Sequence, residues 1–176
     1  MKIGLCGTVS VGKTTLVNAL KELPQFKDYT FATERSKYLR DLGIPLNTDS
    51  TLKGQTVFLA ERCAELINEN LITDRTVIDV MAFTQASKSI DYIDKERFRK
   101  YAADFIREYD YIFYISPDGV DIEDNGVRTI DSEYRDLIDF IIRHFIDTHN
   151  GKLQNCRQIK GSTDERIKQI LETISL

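Results

Sequence analysis

Short apolar runs alternate with longer amphipathic stretches along the whole chain. The apolar runs lie at 2–6, 28–33, 71–75, 110–117 and 153–161. Short runs of this kind, bounded by turn residues, predict buried strands. Five strands that alternate with helices predict an α/β fold with a five-stranded parallel sheet and helices on both faces.

Apolar positions in the intervening stretches recur every three or four residues, which predicts amphipathic helices. The expected helices cover 13–23, 36–43, 51–70, 76–86, 94–109, 130–149 and 162–174. Within 51–70, the positions expected to face the core are Val57, Leu59, Ala60, Cys63, Ala64 and Ile67. No repeat or long linker divides the chain, and 176 residues suit one domain, so we expect a single domain over 1–176.

The composition is that of an ordinary globular protein, with 41% apolar and 30% charged residues. A net charge of −4 does not attract the negatively charged backbone of a nucleic acid, although the sequence is compatible with a local basic patch. The 3 cysteines are far apart in sequence, which indicates a reducing compartment and no disulfide framework. Neither a signal peptide nor a membrane span is recognisable, so we expect a cytoplasmic protein.

A glycine-rich loop follows the first predicted strand and opens the first predicted helix. Gly7, Gly12, Lys13 and Thr14 match the pattern G-x-x-x-x-G-K-[ST], the P-loop or Walker A motif. The glycines let the backbone curl with its N–H groups pointing at phosphate oxygens, at the positive end of the helix. The lysine reaches the β- and γ-phosphates, and the threonine hydroxyl takes a place on Mg²⁺. The alternative is a glycine-rich turn that matches the pattern by chance.

We therefore predict a site for ATP and Mg²⁺, with GTP left open as the nucleotide. The chain lacks the D-x-x-G and N-K-x-D motifs of switch GTPases and the L-S-G-G-Q loop of transporter ATPases. Small phosphotransferases remain, in which insertions on the same sheet form an acceptor pocket and a lid. The residues expected at the nucleotide phosphates are Gly7, Val9, Ser10, Val11, Gly12, Lys13, Thr14 and Thr15.

Asp74 and Arg75 lie at the carboxyl end of the third predicted strand, the edge at which open α/β sheets place their chemistry. The segment LITDRTVIDVMAFTQ resembles the D-R-x segment of thymidylate-kinase-like and nucleoside-kinase proteins. The resemblance implies that Asp74 steadies Mg²⁺, beside Thr14, and that Arg75 faces the phosphates. The alternative is a surface ion pair at the end of a strand.

Glu34 follows the second predicted strand, where a carboxylate is able to accept the proton of an attacking hydroxyl group. The alternative is a glutamate at the start of the next helix, favoured there by the helix dipole. Arg35, the next residue, either contacts the acceptor or is a solvent-exposed residue of that helix.

An acidic, glycine-punctuated segment over 117–130 is a candidate lid. Gly119 and Gly126 provide hinges, and Arg128 is the only cation in the segment. An arginine that arrives on closure stabilises charge spread over a transferring phosphoryl group. The alternative is a solvated loop whose arginine pairs with the neighbouring acids.

The ordered set of motifs resembles the P-loop AAA-type domain family that is related to the nicotinamide riboside kinase domain of bacterial NAD regulators. The segments are the glycine-rich loop, TERSKYLRDLGIP, TDRTVIDVMAFT and IEDNGVRTIDSEYRDLIDFI. The resemblance implies ATP, Mg²⁺ and phosphoryl transfer to a small hydroxyl acceptor, often a nucleoside. It also implies that the closing segment IKGSTDERI holds the adenine, with Gly161, Ser162 and Thr163 as candidates.

The sequence thus predicts a kinase that transfers the γ-phosphoryl group of ATP to a nucleoside-like hydroxyl group. The rivals are a nucleoside monophosphate kinase, with Arg35, Lys37 and Arg40 as added cations, a polynucleotide hydroxyl kinase, and a non-catalytic nucleotide-dependent switch. We expect the segment 44–56 to shape the acceptor pocket, and a homodimer is left open. The catalytic candidates are Lys13, Glu34, Asp74, Arg75 and Arg128.

Overall fold

Five parallel strands form one sheet at the centre of the protein. The computed structural model describes residues 1–33, 36–118 and 132–174. The strands, in chain order, are β1 (Lys2–Cys6), β2 (Thr30–Ala32), β3 (Leu71–Thr73), β4 (Tyr111–Ile115) and β5 (Cys156–Ile159). Their order across the sheet is β2-β3-β1-β4-β5, and all neighbouring pairs are parallel. This is the sheet of the P-loop NTPase fold, as the sequence predicted.

Seven α-helices connect and cover the strands in the described parts of the chain. They are α1 (Lys13–Lys21), α2 (Ser36–Asp41), α3 (Leu52–Glu65), α4 (Val77–Ala86), α5 (Tyr92–Ala102), α6 (Ser132–Thr148) and α7 (Thr163–Ile174). Short 3₁₀ helices lie at Pro24–Phe26, Asn47–Asp49, Ala103–Glu108 and Asn150–Lys152. Within residues 1–33, 36–118 and 132–174, no helix combines the length and the hydrophobicity of a membrane-spanning segment.

Side chains of each central strand alternate between two apolar cores. In β4, Ile112 and Tyr114 belong to the core that contains α4 and α6, whereas Phe113 and Ile115 belong to the core that contains α1 and α7. Successive side chains of a strand point to opposite faces, so a strand covered on both faces reads as a continuous apolar run. This is why β1, β3 and β4 form apolar runs in the sequence, whereas the edge strands β2 and β5 are partly exposed.

The register places β1 between β3 and β4. Gly4 lies opposite Thr73 of β3 and opposite Ile112 of β4. A Cβ atom at Gly4 would come within 2.4 Å of the Thr76 Cγ2 atom, so only glycine fits there. The carboxyl ends of β1 and β3 therefore lie side by side, and the loops that follow them meet.

Two predictions about helices were wrong in detail. The helix α3 ends at Glu65, and its buried residues are Gly54, Gln55, Phe58, Leu59 and Arg62. Of the six residues expected in the core only Leu59 is buried, and the polar side chains of Gln55 and Arg62 take buried positions instead. The exposed residues among the six are Val57, Ala60, Ala64 and Ile67. The helix expected over 94–109 is α5 followed by the 3₁₀ helix Ala103–Glu108.

Candidate active site

The glycine-rich loop joins β1 to α1 and is anchored in both cores. Val9 packs in the core on the α4 side of the sheet, and Val11 packs in the core on the α1 side. Gly12 directly precedes α1 and has φ +81°, a left-handed conformation that favours glycine. The first N–H groups of a helix have no partners within the helix, so the start of a helix is able to accept an anion. The Val9 and Val11 side chains pack in the two cores, and the Val11 carbonyl accepts a hydrogen bond from Arg166.

The ammonium group of Lys13 lies against the backbone of the same loop. Its Nζ atom donates hydrogen bonds to the carbonyl oxygens of Gly7, at 2.5 Å, and Thr8, at 2.7 Å. It also lies 4.0 Å from Oδ1 of Asp79. The lysine side chain is buried, so its charge acts in a region from which water is largely excluded.

Thr14 and Asp74 meet at the start of α1. The Thr14 hydroxyl donates a hydrogen bond of 2.7 Å to Oδ2 of Asp74. The backbone N–H of Asp74 donates to the carbonyl of Ala32 at 3.1 Å, which holds the residue in line with the neighbouring strand β2. A hydroxyl group beside a carboxylate is the type of oxygen pair that, together with nucleotide phosphates, holds Mg²⁺. The two residues therefore fit the ion that the sequence predicted for them.

Asp79 is a central residue of the site that the sequence analysis did not identify. Its Oδ1 atom accepts the Gly7 N–H at 3.1 Å, and its Oδ2 atom accepts both the N–H and the hydroxyl of Thr76 at 2.8 Å. Thr76 and Asp79 form a capping box at the start of α4. One buried carboxylate thus ties the glycine-rich loop to the segment that carries Asp74. The T-x-x-D pattern was a signal for the cap, but not for the contact with Gly7.

Arg75 lies on the other side of the same segment and lines a cleft beside the glycine-rich loop. Both Asp74 and Arg75 are buried, which contradicts the alternative of a surface ion pair. The guanidinium carbon of Arg75 lies 4.7 Å from the ring centroid of Phe83, a cation–π distance. The cavity in this cleft has a volume of about 30 Å³. The residues that line it are Val9, Ser36, Leu46, Asn47, Gln55, Phe58, Arg75, Val80 and Phe83.

Gln55 provides the most deeply buried polar side chain in the wall of the cleft. It is 3% exposed, and among the described residues its Oε1 atom has no hydrogen-bond partner. Leu46, Asn47 and Gln55 all come from the segment 44–56. The sequence pointed to this segment but to none of its residues, since a glutamine on the buried face of a helix looks like a surface residue in sequence.

The adenine candidates lie at the start of α7. Gly161 has φ +94°, and the Ser162 N–H donates to Oε2 of Glu165 at 2.7 Å while the Glu165 N–H donates to the Ser162 hydroxyl at 3.3 Å. Hydrogen bonds that the Glu165 carboxylate accepts, first from the Ser162 backbone N–H and second from the Ser162 side chain, lower the pKa of Glu165. Ser162 is therefore a helix cap, and Thr163 begins the helix.

Five other sequence-predicted residues lie outside the described parts of the chain, namely Glu34, Arg35, Gly119, Gly126 and Arg128. The described residues on either side of 119–131 lie beside the glycine-rich loop. The Thr8 hydroxyl donates to the Arg135 carbonyl at 2.8 Å, and Arg135 Nη2 donates to the Pro117 carbonyl at 3.3 Å.

The chain is similar in fold to several solved protein structures. It matches deoxyadenosine kinase from M. mycoides with bound dCTP with a TM-score of 0.68 and 18% identity over 99% of both chains. It matches the NadR protein in complex with NR with a TM-score of 0.76 and 15% identity, over 99% of this chain and 51% of that one. It matches the YorR protein from Bacillus subtilis, in complex with phosphorylated GDP, with a TM-score of 0.57 and 18% identity, over 100% and 96%.

At these identities the structural matches establish a common fold. A search of curated protein sequences found no match. The family model described as AAA domain (AAA_28) matches residues 2–166, which is most of the chain. The match includes the glycine-rich loop, the segment with Asp74 and Asp79, and the start of α7. The protein therefore belongs to this AAA domain family of P-loop proteins.

Proposed function

We propose that the protein is a kinase that transfers the γ-phosphoryl group of Mg-ATP to a hydroxyl group of a nucleoside-like acceptor. The observation that carries the proposal is that two consecutive residues contact two different sites, the start of α1 beside the glycine-rich loop and the neighbouring cleft. Asp74 bonds Thr14 beside the phosphate loop, and Arg75 lines the cleft. A phosphate site and a neighbouring cleft that share a wall are what phosphoryl transfer between two bound molecules requires.

On the donor side, the backbone of the glycine-rich loop and Lys13 bind the phosphates of ATP. Thr14 and Asp74 hold Mg²⁺, which neutralises charge on the phosphates when it is bound. The turn with Gly161, Ser162 and Thr163 receives the adenine. Asp79 keeps the loop and the Asp74 segment in a fixed relation through its bonds to Gly7 and Thr76.

On the acceptor side, the cleft suits a flat, mostly apolar molecule with a polar edge. Phe58, Val80 and Phe83 supply apolar surface, and Gln55 supplies an amide that both donates and accepts hydrogen bonds. A nucleobase has this combination of a planar face and a hydrogen-bonding edge. The fold matches to deoxyadenosine kinase and to NadR with NR support the same class of acceptor.

The chemistry proposed is an in-line attack by the acceptor hydroxyl group. Glu34 accepts the proton of the hydroxyl group, and Lys13, Arg75 and Arg128 spread the charge of the transferring group. Among the described residues that line the cleft, Arg75 is the only cation. A single cation favours a neutral hydroxyl acceptor over a nucleoside monophosphate, which brings two negative charges of its own.

The first experiment is ADP release from Mg-ATP against a panel of acceptors. The panel contains ribo- and deoxynucleosides, nicotinamide riboside, nucleoside monophosphates, and short DNA and RNA with free 5′-hydroxyl groups. We expect stimulation by one nucleoside class, and its loss in Lys13→Ala. Lys21→Ala, a change on the exposed side of the same helix, should leave the stimulation intact.

Glu34→Gln separates the proposed reaction from its nearest rival. The variant should cripple transfer to a hydroxyl group, which loses a proton on attack, and should spare transfer to a monophosphate, which needs no base. A panel without any stimulation, together with tight ATP binding, would contradict the proposal. It would favour a macromolecular acceptor or a nucleotide-dependent switch.

A further inference from the structure

Arg166 of α7 reaches the glycine-rich loop from the far end of the chain. Its Nη1 atom donates a hydrogen bond of 2.7 Å to the carbonyl oxygen of Val11, a residue 155 positions away. The same Nη1 atom would lie 3.3 Å from a Cβ atom at Gly12, so the guanidinium group is packed directly against the end of the loop. Only 6% of the arginine is exposed.

The contact determines how one peptide group of the loop is oriented. The Val11 carbonyl and the Gly12 N–H belong to the same peptide group, and the described chain contains no cis peptide bonds. In a trans peptide the C=O and N–H bonds point in opposite directions. By holding the carbonyl toward α7, the guanidinium group turns the Gly12 N–H away from α7.

We propose that Arg166 is a positioning residue for nucleotide binding, which aims the Gly12 N–H at the phosphates of the nucleotide through the Val11 carbonyl. This inference rests on the proposed function in one respect, the binding of phosphate by the glycine-rich loop. The position of Arg166 on α7 supports it, because Arg166, Ile170 and Ile174 recur at intervals of four residues and form one buried face.

The burial of Arg166 lowers the stability of the fold, so stability alone does not explain an arginine at this position. Burial lowers the pKa of the Arg166 guanidinium, and its Nε atom has no hydrogen-bond partner among the described residues. Burying such a group costs free energy that an apolar side chain, as at Ile170, would not cost. The arginine is thus explained by its bond to the loop rather than by packing.

The test measures tripolyphosphate and Mg-ATP binding by calorimetry, and the KM for ATP and kcat once an acceptor is known. Arg166→Met keeps a flexible, unbranched side chain, although a shorter one, and loses the donors. We expect about a tenfold loss of affinity for both ligands, seen as a higher KM rather than a lower kcat. Arg166→Lys should recover part of the loss, because its ammonium group still donates to a carbonyl.

Two control variants on the same helix separate positioning from general effects. Ile170→Val should lower the melting temperature without weakening tripolyphosphate binding in the folded protein. Lys168→Met removes an exposed cation and should change neither property. Should Arg166→Met fail to fold, Arg166→Gln takes its place, with the same loss of affinity expected.

Folded Arg166→Met, or its replacement, that binds tripolyphosphate as tightly as the wild type would overturn the inference. A loss of affinity no larger than that of Ile170→Val would also overturn it. Lys13→Ala distinguishes this from a failure of the proposed function. If Lys13→Ala loses tripolyphosphate binding and the Arg166 variant does not, only the positioning role fails. If Lys13→Ala also binds normally, the phosphate site itself is wrong.

Discussion

The Asp79 carboxylate accepts a hydrogen bond from the backbone N–H of Gly7, although the two residues lie 72 positions apart. The same carboxylate caps α4 through Thr76 and lies 4.0 Å from the Lys13 ammonium group. The phosphate loop is therefore not held by its own sequence alone. Its first glycine is fixed by the helix that follows the Asp74–Arg75 segment.

Asp79→Asn should weaken both folding and nucleotide binding. An asparagine in the same orientation replaces one acceptor oxygen by an NH₂ group and removes the charge beside Lys13. We expect a loss of about 2–3 kcal/mol in the free energy of unfolding, because buried polar groups are left without partners. Mg-ATP affinity should fall as well, as measured by calorimetry on the folded variant.

Asp91→Asn, a change at the exposed cap of α5, should alter neither quantity appreciably. Unchanged ATP affinity in Asp79→Asn would contradict a role for Asp79 in the site.

Thr14→Ala should change the Mg²⁺ dependence of activity. The variant removes the hydroxyl group that lies 2.7 Å from Asp74, and with it one oxygen of the proposed Mg²⁺ site. We expect the Mg²⁺ concentration for half-maximal ADP release to rise by roughly tenfold or more. Thr14→Ser keeps the oxygen and should stay close to the wild type. Equal Mg²⁺ dependence of Thr14→Ala and Thr14→Ser would show that the hydroxyl group does not serve the metal.

Gln55→Leu should separate stability from acceptor binding. The substitution replaces a buried amide, whose Oε1 atom lacks a partner among the described residues, by an apolar side chain of similar volume. The free energy of unfolding should stay equal or increase by up to about 1 kcal/mol. The KM for the acceptor should rise about tenfold, while the KM for ATP stays constant.

The matched control for Gln55→Leu is Thr56→Val, at the next position of α3 but on its exposed side. This variant should leave both KM values unchanged, because its side chain does not line the cleft. An acceptor KM that Gln55→Leu leaves unchanged would remove Gln55 from the acceptor site.

Glu65 should make the protein less stable as the pH rises from about 4.5 to 6. Burial raises the pKa of Glu65 from 4.5 to about 6, against the opposing effects of Arg62 and the Thr73 hydroxyl. A raised folded-state pKa means that the folded protein binds more protons than the unfolded chain in this window. The contribution of Glu65 to the free energy of unfolding is therefore complete below its pKa in the unfolded chain. It is lost as the pH rises through its pKa in the folded protein.

Denaturant unfolding of the wild type and Glu65→Gln across pH 4 to 7.5 measures this effect. The stability of the wild type relative to the variant should decrease by about 1–2 kcal/mol over the window. Glu69→Gln, a change at an exposed site, provides the reference for the loss of one negative charge. If the difference in the free energy of unfolding between the wild type and Glu65→Gln stays constant with pH, the pKa of Glu65 is not raised.

The fold was largely predictable because its signals are local. The central strands β1, β3 and β4 are mostly apolar runs, since both faces of the sheet are covered there, whereas β5 carries the exposed Arg157 and Gln158. The error in α3 shows the limit of such patterns. Arg62 occupies a buried position because it pairs with Glu65, which also accepts a hydrogen bond from Thr73. A prediction from hydrophobic periodicity places both charged residues on the exposed face of the helix.

The glycine-rich loop could be predicted from the chain alone, because a P-loop is one continuous stretch whose conformation depends on glycines and on the helix directly after it. The surroundings of that loop could not be predicted, because they depend on contacts between distant segments. Asp79, Gln55 and Arg166 are polar residues on helices, and in sequence they look like solvated ones. Their roles come from contacts with segments far away in the chain. The order of the strands, which no local pattern encodes, brings those segments together.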